Sequence, residues 1–458
     1  MKKDFLLTSA KACELYEGFA AKLPIIDYHN HLSVQQIKEN KRFDNIYDVW
    51  VGIDPYKHRA MRMCGVEEKY ITGDAEKSEK FRMWCSCVPR LIGNPLYHWT
   101  VMELAQVFDI HELPNAENWD RIYEEGNRYL ALHNVTVESF FEKFNVEFIC
   151  PCVSILDSPD DFENNEKAVP SLRGDDITSP NGEFISKPST LTGIEIDSLE
   201  KFESAVQLRL NEFKDSGCVF SDHALDDGFT YFEDDGKNGE RFEKLLNESC
   251  LAETDAKRLF SYILTFLCGK YAELGMVVQL HIGAQRYTSS RLRTLAGAAG
   301  GFAAIGNSVD SASLTKMLDE IEKTEFGLPK TVLFTLNPEA NAIVAILAGS
   351  YSKDGVPGLI TQGPAWWWCD QKKSIVDMLE NTMVFGLLDN FIGMTTDSRS
   401  FLSLVRHDYF RRILCSWIAE KIDSGDFPDD EKIISQLICD MCYKNAKAAI
   451  ENSRGEER

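Results

Sequence analysis

Two histidines, His29 and His31, stand one residue apart in the stretch IIDYHNHL at residues 25–32. In a β-strand, positions i and i+2 face the same side and lie about 6.6 Å apart along the chain. Both imidazoles could therefore point at one place, which is the geometry that a metal ion needs. Two histidines that merely end a strand would show the same spacing, so the pair alone leaves both interpretations open.

The composition predicts a large folded core and limits the partners. The chain has 458 residues, of which 44% are hydrophobic, which suits one enlarged barrel or about three ordinary domains. It carries 72 acidic and 49 basic residues, a formal charge of -23. This charge repels nucleic acid, so we expect no nucleic-acid partner. A small anionic substrate would need local arginines.

Cysteine usage and hydropathy predict a cytoplasmic protein. The 13 cysteines are irregularly spaced, which favours reduced, buried thiols over disulfides or zinc-finger sites. The N-terminal residues contain no continuous apolar region of the kind that a signal peptide needs. No apolar stretch reaches about 18 residues, so we expect no membrane partner.

Short apolar or β-branched segments recur eight times along the chain, with helix-like segments between most of them. They begin near Pro24, Val146, Ala168, Gly217, Met276, Thr331, Gly358 and Phe391. Alternating strands and helices predict parallel βαβ units, and eight of them predict an α/β fold of the (β/α)8 TIM-barrel type.

This barrel divides the chain unevenly. Residues 1–32 would form an N-terminal helix and the first strand, and residues 33–145 a mainly helical subdomain inserted after it. Residues 146–424 would complete the barrel, and residues 425–458 would form a C-terminal helix and tail. The insertion would overhang the active-site mouth. Residues 176–200, rich in Ser, Pro, Thr and Gly, predict a surface loop.

Polar side chains follow the predicted strands at their carboxyl ends, where a barrel places its chemistry. They are His29, His31, Arg173, Asp175, Asp222, His223, His281, Asn337, Trp366, Trp367, Asp397 and Arg399. Loop formation after a buried strand explains the Asn and Asp residues well, but it explains poorly why histidines stand at three different strand ends.

The metal hypothesis joins His29 and His31 with Asp397, because a barrel closes its eighth strand onto its first. Two imidazoles and one carboxylate suit zinc or another divalent ion that acts as a Lewis acid. His281, on the fifth strand, could be a further metal ligand, a residue that contacts the substrate, or a residue that supports the ligands by hydrogen bonding. Spacing alone does not choose among these roles.

Several further residues could bind or protonate an anionic substrate. Arg399 would lower the pKa of Asp397 or hold an anion bidentately, although a plain Asp/Arg ion pair would look the same. Arg173 is a second candidate anion clamp. Tyr56 and Arg59, from the inserted segment, could serve as a proton carrier and an anchor, and a core or surface role fits them equally.

Other motifs restrict the chemistry further. Trp366 opens a WWW run that could stack on a sugar face, although aromatic clusters more often belong to a core. The sequence contains no GxGxxG, Walker or GxSxG motif. Nucleotide-driven and serine-hydrolase chemistry are therefore poorly supported.

The motifs resemble a known family. The HxH pair, an HxG at His281 and the aspartate of the eighth strand resemble the amidohydrolase superfamily of metal-dependent barrels. The segments GPAWWWCDQK, FIGMTTDSRSFLSLVRHDYFRRILC, LPKTVLFTLNPEANAI, QLHIGAQR, NPLYHWTVMEL and PYKHRAMR closely resemble the uronate isomerases, also called glucuronate isomerases. The resemblance covers nearly the whole chain.

The resemblance implies an aldose-ketose isomerase that turns D-glucuronate into D-fructuronate and D-galacturonate into D-tagaturonate. It implies a metal held by His29, His31 and Asp397, and proton transfers by Asp397 and Tyr56. It further implies that four polar residues belong to the substrate site: Arg399, Arg173, His281 and Asp222.

The chain departs from the family pattern around the substrate rather than around the metal. Pro55 stands where the family commonly has a histidine, and proline cannot titrate or donate a hydrogen bond. His58 replaces a tryptophan. A catalytically silent sugar-acid binder is therefore one alternative. A hydrolase or lactonase of the same superfamily, in which the metal would activate water instead of the sugar, is the other. A homo-oligomer is the default expectation for a barrel of this size.

Overall fold

The structure, a computed structural model, describes residues 1–162, 165–178 and 182–455. Its strands are β1 Ile25–Asn30, β2 Val146–Ser154, β3 Ser171–Arg173, β4 Phe220–Leu225, β5 Val277–Ile282, β6 Ala284–Gln285, β7 Ala304–Ile305, β8 Thr331–Thr335 and β9 Ile360–Gln362. Seven of them form one parallel sheet in the order β1-β2-β3-β4-β5-β8-β9, while β6 and β7 pair antiparallel. The seven strands of the large sheet coincide with seven of the eight predicted from the sequence.

The parallel sheet is curled. The ring of His29, on β1, lies 4.4 Å from the ring of His281, on β5. In a flat sheet, four strand spacings of about 4.8 Å would separate these strands. All six residues of β1 and of β5 are buried, as expected where both faces of a parallel sheet are covered.

The α-helices account for most of the remaining chain. They are α1 Ala10–Leu15, α2 Val34–Lys38, α3 Ile46–Trp50, α4 Pro55–Met63, α5 Lys77–Cys87, α6 Pro95–Phe108, α7 Trp119–Leu132, α8 Val137–Lys143, α9 Asp175–Thr178, α10 Gly182–Thr192, α11 Leu199–Asp215, α12 Asn238–Glu248, α13 Glu253–Glu273, α14 Ser290–Ala296, α15 Ser311–Glu322, α16 Asn341–Ala348, α17 Lys372–Phe385, α18 Val405–Ser424, α19 Glu431–Cys439 and α20 Asn445–Arg454. Helices α2 to α8 lie between β1 and β2, where the sequence predicted mainly helical structure. Within the described ranges, no helix is long and apolar enough to cross a membrane.

The surface loop predicted at residues 176–200 is wrong in part, because α9 and α10 fall there, whereas the helix predicted to begin near Leu199 is confirmed as α11. Residues 179–181 of that prediction lie outside the described residues, as do residues 456–458 of the predicted tail. Thr190 and Thr192 donate their hydroxyls to the carbonyl groups of Ser186 and Pro188. Residue types typical of loops are thus accommodated in α10 by hydrogen bonds from side chain to backbone.

The eighth strand, expected at residues 391–400, is not formed as a regular strand. Gly393 and Asp397 have φ angles of 111° and 47°, outside the extended region. The hydroxyl of Thr395, rather than a backbone carbonyl, accepts the hydrogen bond from the His29 N–H at 3.0 Å. A side chain thus interrupts the backbone ladder, which the apolar pattern of this segment does not reveal.

Backbone hydrogen bonds nevertheless attach this segment to the edge of β1. The Asp397 N–H donates to the carbonyl oxygen of His29 at 3.1 Å, and the His31 N–H donates to the carbonyl oxygen of Ser398 at 2.9 Å. The two bonds flank Asp397, so they fix its position along β1 relative to both histidines.

The buried carboxylate of Asp27, on β1, reinforces this junction. It accepts hydrogen bonds from the Thr395 hydroxyl at 2.7 Å, the Thr396 N–H at 2.8 Å and the Thr396 hydroxyl at 2.6 Å. Burial would raise the pKa of Asp27, but the nearby His407, whose Nε2 lies 3.7 Å from Oδ1, and the hydrogen bonds of the two threonines outweigh burial and hold the pKa below its usual value. The carboxylate is therefore ionised where it binds the segment.

Replacing Asp27 with alanine should destabilise the protein through this junction. Three buried donors would lose their acceptor, which should lower the free energy of unfolding by about 3 kcal/mol. The exposed Asp44→Ala control should change it by less than about 0.5 kcal/mol. Chemical denaturation of both variants measures the difference, and equal stabilities would contradict the role given to Asp27.

Candidate active site

A cavity of about 830 Å³ opens at the carboxyl ends of the strands, within the range of small-molecule sites. Eight of the ten predicted site residues line it: His29, His31, Tyr56, Arg173, His281, Trp366, Asp397 and Arg399. Asp222 and Arg59 are not among its lining residues. The structure therefore brings most of the predicted set to one place.

Three of these side chains converge on one point. Asp397 Oδ1 lies 3.3 Å from His29 Nε2 and 3.1 Å from His31 Nε2. Ligands of a tetrahedral zinc ion with bonds of about 2.0–2.1 Å lie about 3.3 Å apart. The two distances from Asp397 are thus those expected between ligands of one divalent ion.

An irregularity in β1 helps to direct His29. Between Asp27 and Asn30, β1 advances three residues while its partner β2 advances only from Ile149 to Pro151. Such an extra residue is a β-bulge, which changes the direction of a side chain. The convergence of the two imidazoles therefore depends on a bulge as well as on the alternation expected from the sequence.

Asp397 is held by its backbone and by both carboxylate oxygens. Its φ of 47° is left-handed, and Trp366 Nε1 donates to Oδ2 at 2.8 Å. Burial would raise the pKa of Asp397, but hydrogen bonds and charge from His29 and His31 outweigh burial and place the pKa well below its ordinary value. Asp397 is thus ionised and ready to act as a ligand.

The histidines differ in their electrostatic surroundings. Burial would lower the pKa of His29, but the hydrogen bond and charge of Asp397 prevail and raise it. Burial prevails at His31 and lowers its pKa. The pKa of His281 lies well below its ordinary value, chiefly because the ring is buried and secondly because the charge of His29 is near. Among the described residues, His281 Nε2 has no hydrogen-bond partner, so a neutral, unpaired nitrogen lines the cavity.

Sequence reasoning gave little weight to Cys152, on β2. Its sulfur lies 3.3 Å from His29 Nδ1 and 3.9 Å from Nε2, and it donates to Asp222 Oδ2 at 3.4 Å. The donor atoms of Cys152, His29 and His31 all lie within 4.8 Å of one another, which also suits a metal. The similar distances to both ring nitrogens place the sulfur beside the imidazole, not beyond Nε2. In the sequence, only the CPC motif at residues 150–152 indicated that Cys152 could bind a metal.

The two candidate arginines differ in their partners. Arg173 Nε donates to Asp175 Oδ2 at 2.7 Å and lies 3.7 Å from the buried Asp222 Oδ1. Arg399 is exposed to the cavity and forms no hydrogen bond or ion pair with the described part of the chain. Arg399 therefore has a free guanidinium, whereas the charge of Arg173 is already neutralised by neighbours.

Tyr56 is positioned by the start of α4. Asp54 caps this helix by accepting the Tyr56 N–H at 2.9 Å, and Pro55 occupies the first turn. The Tyr56 hydroxyl donates to the carboxylate of Asp370, with both oxygens at 2.9 Å. Sequence reasoning missed Asp370, although it closes the WWWCD run that follows β9.

Arg59 and the two positions that depart from the family pattern, Pro55 and His58, differ in their relation to the cavity. The Arg59 guanidinium stacks on Trp368 at 4.7 Å and donates to the Ala303 carbonyl at 3.3 Å, so it supports the cavity wall. Pro55 lines the cavity, whereas His58 does not, and burial lowers the His58 pKa to about 4. A Cβ on Gly301 would lie 2.3 Å from the Pro55 carbonyl oxygen, so this close approach requires glycine.

Changing Trp366 to phenylalanine should weaken metal binding without removing a ligand. The variant keeps an aromatic ring but loses the N–H that orients Asp397, and loss of such a supporting bond costs about 10-fold or more in metal affinity. Trp367→Phe is the matched control, because Trp367 lines the same cavity but makes no hydrogen bond through its ring within residues 1–162, 165–178 and 182–455. Competition with a chromophoric zinc chelator measures both affinities. Equal affinities would refute this role of Trp366.

A curled parallel sheet with two histidines and an aspartate at its carboxyl edge defines an α/β enzyme of the type that binds a divalent metal. A model of the glucuronate isomerase family matches residues 1–449. A uronate isomerase from Caldicellulosiruptor bescii is 39% identical over 458 residues, which cover 98% of each chain. The chain belongs to the glucuronate isomerase family, as its motifs predicted.

Solved structures agree with this assignment. The uronate isomerase from Thermotoga maritima superposes with a TM-score of 0.91 at 28% identity, covering 98% of this chain and 99% of that one. The glucuronate isomerase from Caulobacter crescentus gives a TM-score of 0.90 at 23% identity, covering 100% and 98%. The second likeness concerns the fold alone.

Proposed function

We propose that this protein is a metal-assisted hexuronate isomerase that converts D-glucuronate to D-fructuronate and D-galacturonate to D-tagaturonate. The observation that carries the proposal is the free guanidinium of Arg399 in the same cavity as the His29, His31 and Asp397 donors. A cation site beside an unpaired arginine matches a sugar that bears a carboxylate. Membership of the glucuronate isomerase family supports the same substrate class.

His29, His31 and Asp397 would hold the ion, and their donor set favours zinc or a similar divalent metal. When bound, such an ion supplies Lewis-acid stabilisation of negative charge on a sugar oxygen. Asp397 would move the proton between C2 and C1 of the open-chain sugar, and Tyr56 would act on a neighbouring hydroxyl. His281 offers its unpaired nitrogen to the ion or to the substrate.

The remaining predicted residues would bind the sugar directly or through a neighbour. Arg399 would hold the carboxylate bidentately, and Arg173 would contact a second polar group of the sugar. Trp366 would offer its ring to the sugar face. Asp222 and Arg59 would act indirectly, since they contact Arg173 and Trp368 rather than the cavity.

Three structural proposals accompany this function. Residues 391–400 would serve as the eighth member of a (β/α)8 barrel, supported by the backbone bonds of Asp397 and Ser398 to β1 and His31. Residues 33–145 would form a subdomain above the cavity, with the remaining barrel at 146–424 and a C-terminal segment at 425–458. The enzyme would act in the cytoplasm as a homo-oligomer.

An isomerisation assay tests the function directly. Purified protein with added Zn²⁺ should form ketose from D-glucuronate, D-galacturonate or both, and removal of the metal with a chelator should lower the rate. Asp397→Asn should reduce kcat by about 10³-fold or more, because the carboxylate is proposed as ligand and proton carrier. Lactone hydrolysis without ketose formation would favour a hydrolase, and tight uronate binding without turnover would favour a silent binder.

Arg399→Met should mainly weaken binding of the uronate. Loss of a charge-assisted pair costs about 1.5–3 kcal/mol, which corresponds to a rise in KM of about 10- to 150-fold. The exposed Arg128→Met variant, on α7, is the control and should keep the wild-type KM. Steady-state kinetics on both variants give the comparison, and an unchanged KM in Arg399→Met would argue against the anion-binding role.

A further inference from the structure

The hydroxyl of Tyr56 is held from two sides at the wall of the cavity. Its O–H donates to the carboxylate of Asp370, whose two oxygens both lie at 2.9 Å. Its oxygen accepts the N–H of Trp368 at 3.1 Å. A phenol has one proton and two lone pairs, so one lone pair is left for a ligand in the cavity that Tyr56 lines.

This arrangement decides the direction in which Tyr56 can move a proton. While its own proton is shared with Asp370, Tyr56 cannot donate to a sugar oxygen. It can accept a proton from a sugar hydroxyl, provided that it passes the phenolic proton on to Asp370. The phenol alone is a poor base, because burial and the charge of Asp370 raise its pKa well above the ordinary value.

Asp370 is built to take that proton. It is fully buried beside the guanidinium of Arg406, whose Nη1 donates to it at 3.2 Å. The Arg406 guanidinium also stacks on the rings of Trp99, at 4.0 Å, and Tyr56, at 4.9 Å. Burial raises the pKa of Asp370 to about 7, although Arg406 and the Tyr56 hydrogen bond oppose the shift. Asp370 can therefore exist in both protonation states near neutral pH.

The surrounding charges accommodate both states. Lys57 Nζ lies 2.6 Å from Asp54 Oδ2 and 3.4 Å from Glu103 Oε2, and Asp54 and Glu103 also act on Arg406. Two buried cations thus face three buried carboxyl groups, so one proton can reside on a carboxyl without leaving a cation unpaired. The other titratable groups near Asp370 are Asp397, Cys369 and Tyr409.

We propose that Tyr56 and Asp370 form a proton relay for the hydroxyl groups of the substrate, with Asp370 as the positioning residue behind Tyr56. This proposal rests on the proposed isomerase function. As C2 becomes a carbonyl carbon, the O2–H bond breaks and its proton joins the Tyr56 oxygen. The phenolic O–H bond breaks at the same time, and that proton joins Asp370.

The relay returns to its starting state within one turnover. The proton on Asp370 goes back to the Tyr56 oxygen, and the proton on Tyr56 forms the new O–H bond at O1 of the ketose. The electron pair that leaves the O2–H bond completes the C2 carbonyl, and no oxidant or other reactant is needed. Asp397 moves the carbon-bound proton from C2 to C1 independently of this relay.

Asp370→Asn and Asp370→Glu test the relay. Asparagine still accepts the Tyr56 hydrogen bond but cannot take its proton, so kcat should fall about 100-fold or more while KM changes less than about threefold. Glutamate keeps a carboxyl group, so its kcat should stay within about tenfold of wild type. In the Tyr56→Phe background, Asp370→Asn should cause no further loss of kcat, because the two residues act as a unit.

The pH profile provides a readout that a purely structural role would not change. Because Asp370 must be ionised to accept a proton, kcat should fall as the pH drops below about 7, and this acid limb should move in Asp370→Glu. Turnover by wild type and by the exposed Asp389→Asn control establishes the isomerase independently of the relay. Near-normal kcat in Asp370→Asn, or an unmoved acid limb in Asp370→Glu where the Asn variant does not fold, would overturn the relay.

Discussion

The site depends on one junction, the attachment of the segment around Asp397 to the edge of β1. Backbone bonds to His29 and from His31 set the position of Asp397, and the buried Asp27 carboxylate binds the threonines just before it. The junction joins two stretches of chain that are separated by more than 360 residues, as the Asp27–Thr395 contact spans 368. A small slip here would separate the carboxylate from both imidazoles, because donor separations of about 3.3 Å tolerate little displacement.

Charge distribution makes the cavity suitable for an anion in a protein of formal charge -23. Arg173 is neutralised by Asp175 and lies close to Asp222, whereas Arg399 has no partner within the described residues. An incoming carboxylate would therefore meet one uncompensated cation and need not break an existing pair. In the proposed function, Arg399 would therefore recognise the carboxylate of an acid sugar, whereas Arg173 is already paired with Asp175.

The sequence predicts the parts of the molecule that follow from local patterns. Apolar runs predict the seven regular strands, and the spacing of His29 and His31 predicts their common direction. The eighth strand is not regular for two reasons. The Thr395 hydroxyl takes the place of a backbone acceptor, and Asp397 has a positive φ. The apolar pattern of the sequence reveals neither feature. Asp370 is missed for a different reason. Burial raises its pKa, and its ion-pair partner Arg406, which opposes the shift, lies 36 residues further along the chain, so no local pattern displays this environment.

Pro55 illustrates how the proton chemistry can be maintained after the loss of a titratable group. The motif resemblance leads us to expect a histidine at this position, whereas proline offers neither a proton nor an acceptor nitrogen. It does fix φ at the first turn of α4, where the Asp54 cap already holds the backbone of Tyr56. The substitution therefore removes a base but makes the adjacent Tyr56 more rigid. In the proposed relay, proton movement at the sugar hydroxyls would pass through Tyr56 and Asp370, which are in direct contact, and a tyrosine held in one position favours such a transfer.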